Sequence, residues 1–125
     1  MKKILLSIKP KYVEEILAGR KLVEYRKRIP RDDNVKQVLI YASYPVKRIV
    51  AEFFLDGYLV GTPKDLWDKT SAIGGISEET FVNYFNGKST AYAYQINNIT
   101  VFEEPRLLSE YRLTKAPQDF CYVED

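Results

Sequence analysis

The sequence contains no histidine and a single cysteine, Cys121, and these two shortages exclude several classes of active site. Histidine is the commonest general base near neutral pH and the commonest zinc ligand, so sites built on serine and histidine, cysteine and histidine, or histidine and a metal are excluded. One cysteine cannot form an internal disulfide. Cys121 stands beside Phe120 in a terminal segment, and we interpret it as an inert buried thiol. We expect no metal site and no cofactor.

A long apolar run is also lacking. No stretch approaches the roughly 18 residues that a membrane-spanning helix needs, and the start of the chain is too short to be a secretion signal. We therefore expect a soluble, cytoplasmic protein without membrane association. Repeats, low-complexity segments and flexible linkers are absent as well, so the 125 residues are interpreted as one domain, residues 1–125.

What the sequence does contain is an uneven distribution of charge. Residues 1–31 hold ten basic and three acidic groups, a net charge of +7, whereas residues 32–125 hold nine basic and fourteen acidic groups, a net charge of −5. Such asymmetry is typical of a surface that binds a polyanion. The alternative is a solvated charged face, because parts of a sequence need not form separate parts of a fold.

Hydrophobic periodicity and turn residues predict the element order β-α-β-β-β-α-α-β-β. The helices are predicted from the Pro10 position to Gly19, from a Thr62 cap through residue 67, and over residues 78–85 after a Ser77 cap. The strands are predicted at residues 3–8, 22–26, 35–43, 49–60, 91–99 and 119–123. This order favours an α+β fold: a small, mixed, mostly antiparallel β-barrel of five or six strands with about three short helices.

One stretch, Gly19 to Arg26, combines a helix stop with a charged strand. Residues two apart in a strand share a face, so Glu24 and Arg26 are predicted to project to one side while Val23 and Tyr25 point to the other. A face that carries a carboxylate and a guanidinium is either a surface ion pair or the floor of a binding site.

The same stretch resembles the signature of the ASCH domain family, in the form Gly19-x-Lys21-x-x-Glu24-x-Arg26 after a first helix. The segments 6–12, 40–43, 51–53, 91–94 and 117–120 resemble other parts of that family. The resemblance implies a PUA-like barrel with a cleft beside the first helix. It also implies that the protein binds RNA or a nucleotide-like small molecule, in transcription or translation control.

Some small members of the family hydrolyse N4-acylated cytidines with the motif lysine, a threonine three residues later, and a glutamate from the helical insertion. Lys21 matches the lysine, but Glu24 occupies the threonine position, and residues 73–76 lie where the glutamate is expected, with Glu78 and Glu79 only nearby. We therefore expect Lys21 to hold a ligand rather than to cleave one. The alternative is a small hydrolase of N4-acylated cytidine-type nucleosides or RNA in which Lys21 and Glu24 are catalytic.

The predicted site residues form three groups. The ligand-binding residues are Lys21, Glu24, Arg26, Ser7 and Lys9, although Ser7 and Lys9 have helix capping as an alternative role. The predicted phosphate contacts are Lys11, Arg20, Lys27, Arg28 and Arg31. Tyr41 and Tyr44 are the candidates for base stacking, with packing in the sheet as the alternative.

A protein-interaction module is the third hypothesis, and it is favoured if the basic residues are scattered in the folded chain. The sequence does not specify the oligomeric state beyond a monomer or a weak dimer.

Overall fold

The computed structural model describes residues 2–124 and contains six strands and three α-helices within them. The strands are β1 (Lys2–Ile8), β2 (Val23–Arg26), β3 (Val35–Ala42), β4 (Arg48–Gly61), β5 (Ala91–Arg106) and β6 (Phe120–Val123). The helices are α1 (Pro10–Leu17), α2 (Pro63–Thr70) and α3 (Glu78–Tyr84), and a short 3-10 helix spans Leu108–Tyr111. This is the predicted order of elements.

The six strands form one mixed sheet in the order β2-β5-β4-β3-β1-β6. β1 pairs with β3 in parallel, and every other neighbouring pair is antiparallel. The predicted small α+β fold with a mostly antiparallel sheet is confirmed. The sheet is not closed, because β2 and β6 lie at its two edges.

The helix ends follow the predicted capping chemistry. Thr62 Oγ1 accepts a hydrogen bond from the Asp65 amide at 3.2 Å, and Ser77 Oγ accepts one from the Thr80 amide at 3.1 Å. Each bond satisfies an amide that has no partner within its own helix. After α1, Gly19 adopts a φ of +81°, which a residue with a Cβ rarely tolerates.

β5 is longer than predicted, because it continues from residue 99 to Arg106. Its second half carries few buried side chains, so it lacks the alternation that identifies a strand in a sequence. Backbone pairing with the beginning of β4 keeps it in the sheet, with Ala51 opposite Val101 and Ile49 opposite Arg106.

Two of the hydrophobic clusters place the elements that form the site. One cluster packs α1 against the sheet through Val13 and Ile16. The other packs Phe81 and Phe85, from α3 and its end, against Tyr25 of β2. The loop between α2 and α3 is therefore held close to β2. No helix within residues 2–124 has both the length and the apolar character needed to cross a lipid bilayer.

Candidate functional site

Arg26 is the central residue of the site and connects three parts of the chain. Its Nη2 donates to the Ser7 carbonyl of β1 at 2.6 Å, and its Nη1 donates to Asp119 Oδ1 just before β6 at 3.0 Å. Its Nε and Nη2 both donate to Glu24 Oε2, at 3.1 and 2.8 Å. One guanidinium thus bridges the two edges of the sheet, β2 and β6, which share no backbone ladder.

Glu24 lies between the two cations of the motif. Its Oε1 is 3.6 Å from Lys21 Nζ, and its Oε2 accepts the two bonds from Arg26. Burial opposes the charge of Arg26, but the charge and hydrogen bonds of Glu24, together with nearby groups that include Asp119, outweigh it and raise the pKa of the guanidinium. With the half-buried Asp119 included, two cations face two carboxylates, so the group is neutral as a whole.

Lys21 is almost completely buried, with 1% of its surface exposed. Its Nζ donates to the Gly74 carbonyl at 2.6 Å and lies 5.4 and 5.0 Å from the ring centres of Tyr12 and Tyr25. Burial lowers the pKa of Lys21, and Glu24 partly offsets that effect. The rings and the carbonyl favour the ammonium form over the free amine.

The loop that carries Gly74 approaches Lys21 too closely for larger residues. A Cβ on Gly74 would lie 2.2 Å from the Tyr25 hydroxyl oxygen, and a Cβ on Gly75, whose φ is +66°, would lie 2.7 Å from Lys21 Cβ. Tyr25 cannot easily move away, because its hydroxyl is 2.6 Å from Thr70 Oγ1. The family resemblance places a catalytic glutamate at about this loop. In the structure the loop instead presents its backbone there, and the Gly74 carbonyl accepts a hydrogen bond from Lys21.

Replacing Gly74 with alanine is expected to displace the loop from Lys21 and to lower the free energy of unfolding by about 1–3 kcal/mol, the usual cost of overpacking. Chemical denaturation measures this. The matched control is Gly61→Ala, whose Cβ would meet only Asp65 Cβ, at 3.7 Å. Equal stability of the two variants would contradict the packing described for Gly74.

A cleft of about 860 Å³ opens above this buried group. It is bordered by the β1–α1 junction, β2, the turn after β3, α3 and the segment before β6. Seven basic side chains line it against two carboxylates, Glu24 and Asp119. The basic residues are Lys9, Lys21, Arg26, Lys27, Arg28, Lys47 and Lys88. We call the five exposed ones, Lys9, Lys27, Arg28, Lys47 and Lys88, the basic rim.

The fold brings most of the sequence-predicted residues into this cleft. Its lining includes all five predicted ligand-binding residues, two of the predicted phosphate contacts and both stacking candidates. These are Ser7, Lys9, Lys21, Glu24 and Arg26, then Lys27 and Arg28, then Tyr41 and Tyr44.

Three predicted phosphate contacts, Lys11, Arg20 and Arg31, do not line the cleft. Lys11 lies 5.0 Å from the Tyr12 ring centre, and Arg20 donates to Glu15 Oε2 at 2.5 Å on the outside of α1. Their contribution to binding stays a prediction.

The sequence analysis did not identify several lining residues as part of a site. Lys47 and Lys88 add to the rim, and Asp119 binds Arg26 across 93 positions of the chain. The segment that contains Asp119 borders the cleft and is held by Ser7, whose hydroxyl donates to the Pro117 carbonyl at 2.7 Å. These contacts carry no local sequence signal. The Cys, Asp and Glu side chains of residues 2–124 form no group of three or more that could hold a metal ion.

The fold matches solved structures along nearly its whole length. The crystal structure of ASCH from Zymomonas mobilis superimposes with a TM-score of 0.88, at 27% identity, over 98% of this chain and 88% of the other. The structure of a tyrosine-to-phenylalanine mutant of that protein gives a TM-score of 0.89, at 26% identity, over 100% of this chain and 92% of the other.

Sequence comparison finds relatives of different kinds. The large ribosomal subunit protein uL22 of Ureaplasma parvum is 32% identical over 122 residues, which are 97% of this chain but only 39% of that protein. The chain thus spans about two fifths of the uL22 relative. An ASCH domain-containing ribonuclease of Zymomonas mobilis is 30% identical over 97 residues, 78% of this chain and 66% of that protein. No protein-family profile matches the chain.

Proposed function

This chain belongs to the ASCH domain family, and we propose that its cleft binds RNA. The relative named as a ribonuclease supports RNA as the ligand, because an RNA-cleaving protein must first bind RNA. The regulatory role that the family resemblance implies, in transcription or translation, would depend on this binding.

The observation that carries the proposal is the charge of the cleft. The buried Lys21, Glu24 and Arg26 and the half-buried Asp119 neutralise one another, so the five cations of the basic rim are in excess. Arg28 faces Asp119 at 3.6 Å, but it remains 75% exposed in its side chain and can turn to a ligand. An excess of exposed cations around a concave surface is the usual feature that binds a phosphate backbone.

Fluorescence anisotropy with a labelled single-stranded RNA tests the proposal. About five phosphate contacts predict a slope near −3.5 in a plot of log affinity against log salt, which is roughly a hundredfold loss of affinity between 50 and 200 mM salt. The double variant Lys27→Glu, Arg28→Glu is expected to bind at least tenfold more weakly, because two attractions become repulsions.

The matched control is Lys36→Glu, Lys64→Glu, which makes the same change of charge at exposed positions outside the cleft. Comparable losses in the two double variants would mean that only net charge matters. That outcome, or the absence of binding at 50 mM salt, would contradict an RNA site in the cleft.

A second candidate function is cleavage of RNA without a metal ion. It is favoured by the ribonuclease relative and by Lys21, because a lysine whose pKa is lowered by burial is more readily deprotonated and can act as a base. Incubation of end-labelled RNA with the protein in EDTA tests it. Cleavage that disappears in Lys21→Met at protein concentrations high enough to saturate binding supports it; intact RNA with the wild type, or cleavage that survives this substitution, contradicts it.

A further inference from the structure

We infer that Asp119 is an internal competitor of the ligand: its carboxylate holds the Arg28 side chain in the free protein, and a phosphate of the bound ligand takes its place. The inference rests on the proposed binding of RNA and adds an autoinhibitory contact that regulates that site.

The first observation is that the two carboxylate oxygens of Asp119 face two different arginines. Oδ1 accepts a hydrogen bond from Arg26 Nη1 at 3.0 Å, and Oδ2 lies 3.6 Å from Arg28 Nε, which is too long for a hydrogen bond. Arg26 is buried, whereas Arg28 is 75% exposed in its side chain. The contact at Oδ1 is therefore anchored, and the contact at Oδ2 can open without disturbing it.

The backbone on both sides of the Asp119–Arg28 contact is fixed. The Ser7 amide donates to the Asp119 carbonyl at 3.3 Å, and the Ser7 hydroxyl donates to the Pro117 carbonyl at 2.7 Å. The Tyr94 hydroxyl donates to the Arg28 carbonyl at 3.3 Å. Opening of the contact therefore requires only a rotation of the Arg28 side chain.

Arg28 differs from the rest of the basic rim. The other four rim cations are lysines, and none of them forms an ion pair within residues 2–124. A phosphate at Arg28 must displace a carboxylate, whereas a phosphate at a rim lysine displaces none.

The chemistry of the two anions favours the exchange once a ligand is present. A phosphate can accept two parallel hydrogen bonds from a guanidinium, whereas Asp119 Oδ2 faces only the Nε of Arg28. The lost contact with Asp119 still lowers the affinity. An exposed ion pair changes an equilibrium by up to about fivefold, and Asp119 also repels the incoming phosphate.

Anisotropy titration of Asp119→Asn with a labelled single-stranded RNA octamer at 50 mM salt tests the inference. Asparagine keeps an oxygen that can accept from Arg26 but loses the charge that holds Arg28. The variant is expected to bind about three- to tenfold more tightly than the wild type.

Asp32→Asn is the matched control. Asp32 is a carboxylate with 18% of its side chain exposed that holds the exposed Lys2 at 2.6 Å, and neither residue lines the cleft. Its affinity is expected to stay within about twofold of the wild type, because the same charge is removed outside the site.

Arg28→Ala distinguishes the contact from the general charge of Asp119. In a background that carries Arg28→Ala, the gain from Asp119→Asn is expected to fall below about twofold, because no Arg28 side chain remains to be released. A gain that persists in this background, or an equal gain in Asp32→Asn, would overturn the inference.

The nitrogen-15 spectrum of the arginine side chains gives a readout that needs no variant. On addition of the octamer to the wild type, the Arg28 Nε signal is expected to shift, and the Arg26 Nε signal, bonded to Glu24 at 3.1 Å, is expected to stay constant. An unchanged Arg28 signal at saturating RNA would overturn the inference.

The failure of this inference differs from the failure of RNA binding. Wild-type binding without a gain in folded Asp119→Asn overturns the internal competitor alone. Absence of binding by both proteins overturns the RNA site and the competitor together.

Discussion

The Arg26→Ala variant is expected to lose about 3–5 kcal/mol of the free energy of unfolding, the usual cost of removing one partner from a buried ion pair. Arg26 makes four hydrogen bonds, to Ser7, Glu24 and Asp119, and is 8% exposed. Without it, the Glu24 carboxylate stays buried with only Lys21, at 3.6 Å, to compensate its charge. The contact between β2 and the segment before β6 is lost as well.

Urea denaturation of the variant and the wild type measures this loss. Arg28→Ala is the matched control, because Arg28 also faces Asp119 but is 75% exposed in its side chain. Its loss is expected to be about 0–1 kcal/mol, as for other exposed ion pairs. A small effect of Arg26→Ala, similar to that of Arg28→Ala, would contradict the structural role assigned to Arg26.

Arg26→Lys distinguishes geometry from charge at the same position. A lysine keeps the positive charge but cannot reproduce the planar guanidinium that reaches three groups at once. We expect most of the loss to persist in this variant. Full recovery of stability would indicate that only the charge at position 26 is needed.

The Lys21→Met variant is expected to bind RNA about ten- to a hundredfold more weakly than the wild type, because a charged hydrogen bond to a ligand contributes roughly 1.5–3 kcal/mol. An ammonium carries three protons; the Gly74 carbonyl accepts one and Glu24 faces another, which leaves one for a ligand in the cleft. Methionine fills a similar volume between Tyr12 and Tyr25 but offers no donor.

The same variant is expected to remain folded. The substitution removes a charge that burial disfavours, and Glu24 keeps both hydrogen bonds from Arg26. The Gly74 carbonyl loses its hydrogen-bond donor, which is expected to lower the free energy of unfolding by about 1–3 kcal/mol. Anisotropy titration and urea denaturation of the same preparation separate affinity from stability, with Lys36→Met as the control at an exposed position outside the cleft.

The pH dependence of binding gives a second readout for Lys21. Its pKa in the folded protein lies below the ordinary value of 10.5, so its ammonium is lost at a lower pH than that of an exposed lysine. RNA affinity of the wild type is therefore expected to fall as the pH rises toward 10.5, and Lys21→Met should lack this part of the fall. Identical pH profiles for the two proteins would contradict a direct role of the ammonium.

The sequence predicts the local structure because local signals determine it. Gly19 ends α1, the Thr62 and Ser77 caps begin α2 and α3, and alternating residues define the first half of β5. The sequence does not predict that both faces of β2 are buried. The aromatic residues of α3 cover Tyr25 on one face, and Arg26 is held on the other by residues from both ends of the chain.

The motif of the candidate site was predictable from the sequence, but the residues that surround the motif in the fold were not. The partner of Lys21 is a backbone carbonyl 53 positions away, and any residue type carries a carbonyl, so composition gives no signal for it. The basic residues of the first 31 positions do not all line the cleft, because Lys11 belongs to α1 and Arg20 follows its end, and neither is among the lining residues. Lys47 and Lys88 enter the rim from distant segments.

The most direct test of RNA binding in this cleft is an NMR titration of the nitrogen-15-labelled protein with a single-stranded RNA tetramer. Backbone amide shifts are expected to change in three segments that border the cleft, residues 7–9, 21–28 and 43–47, and to stay constant in the second half of β5. No change at saturating RNA, or changes concentrated outside these segments, would contradict the account.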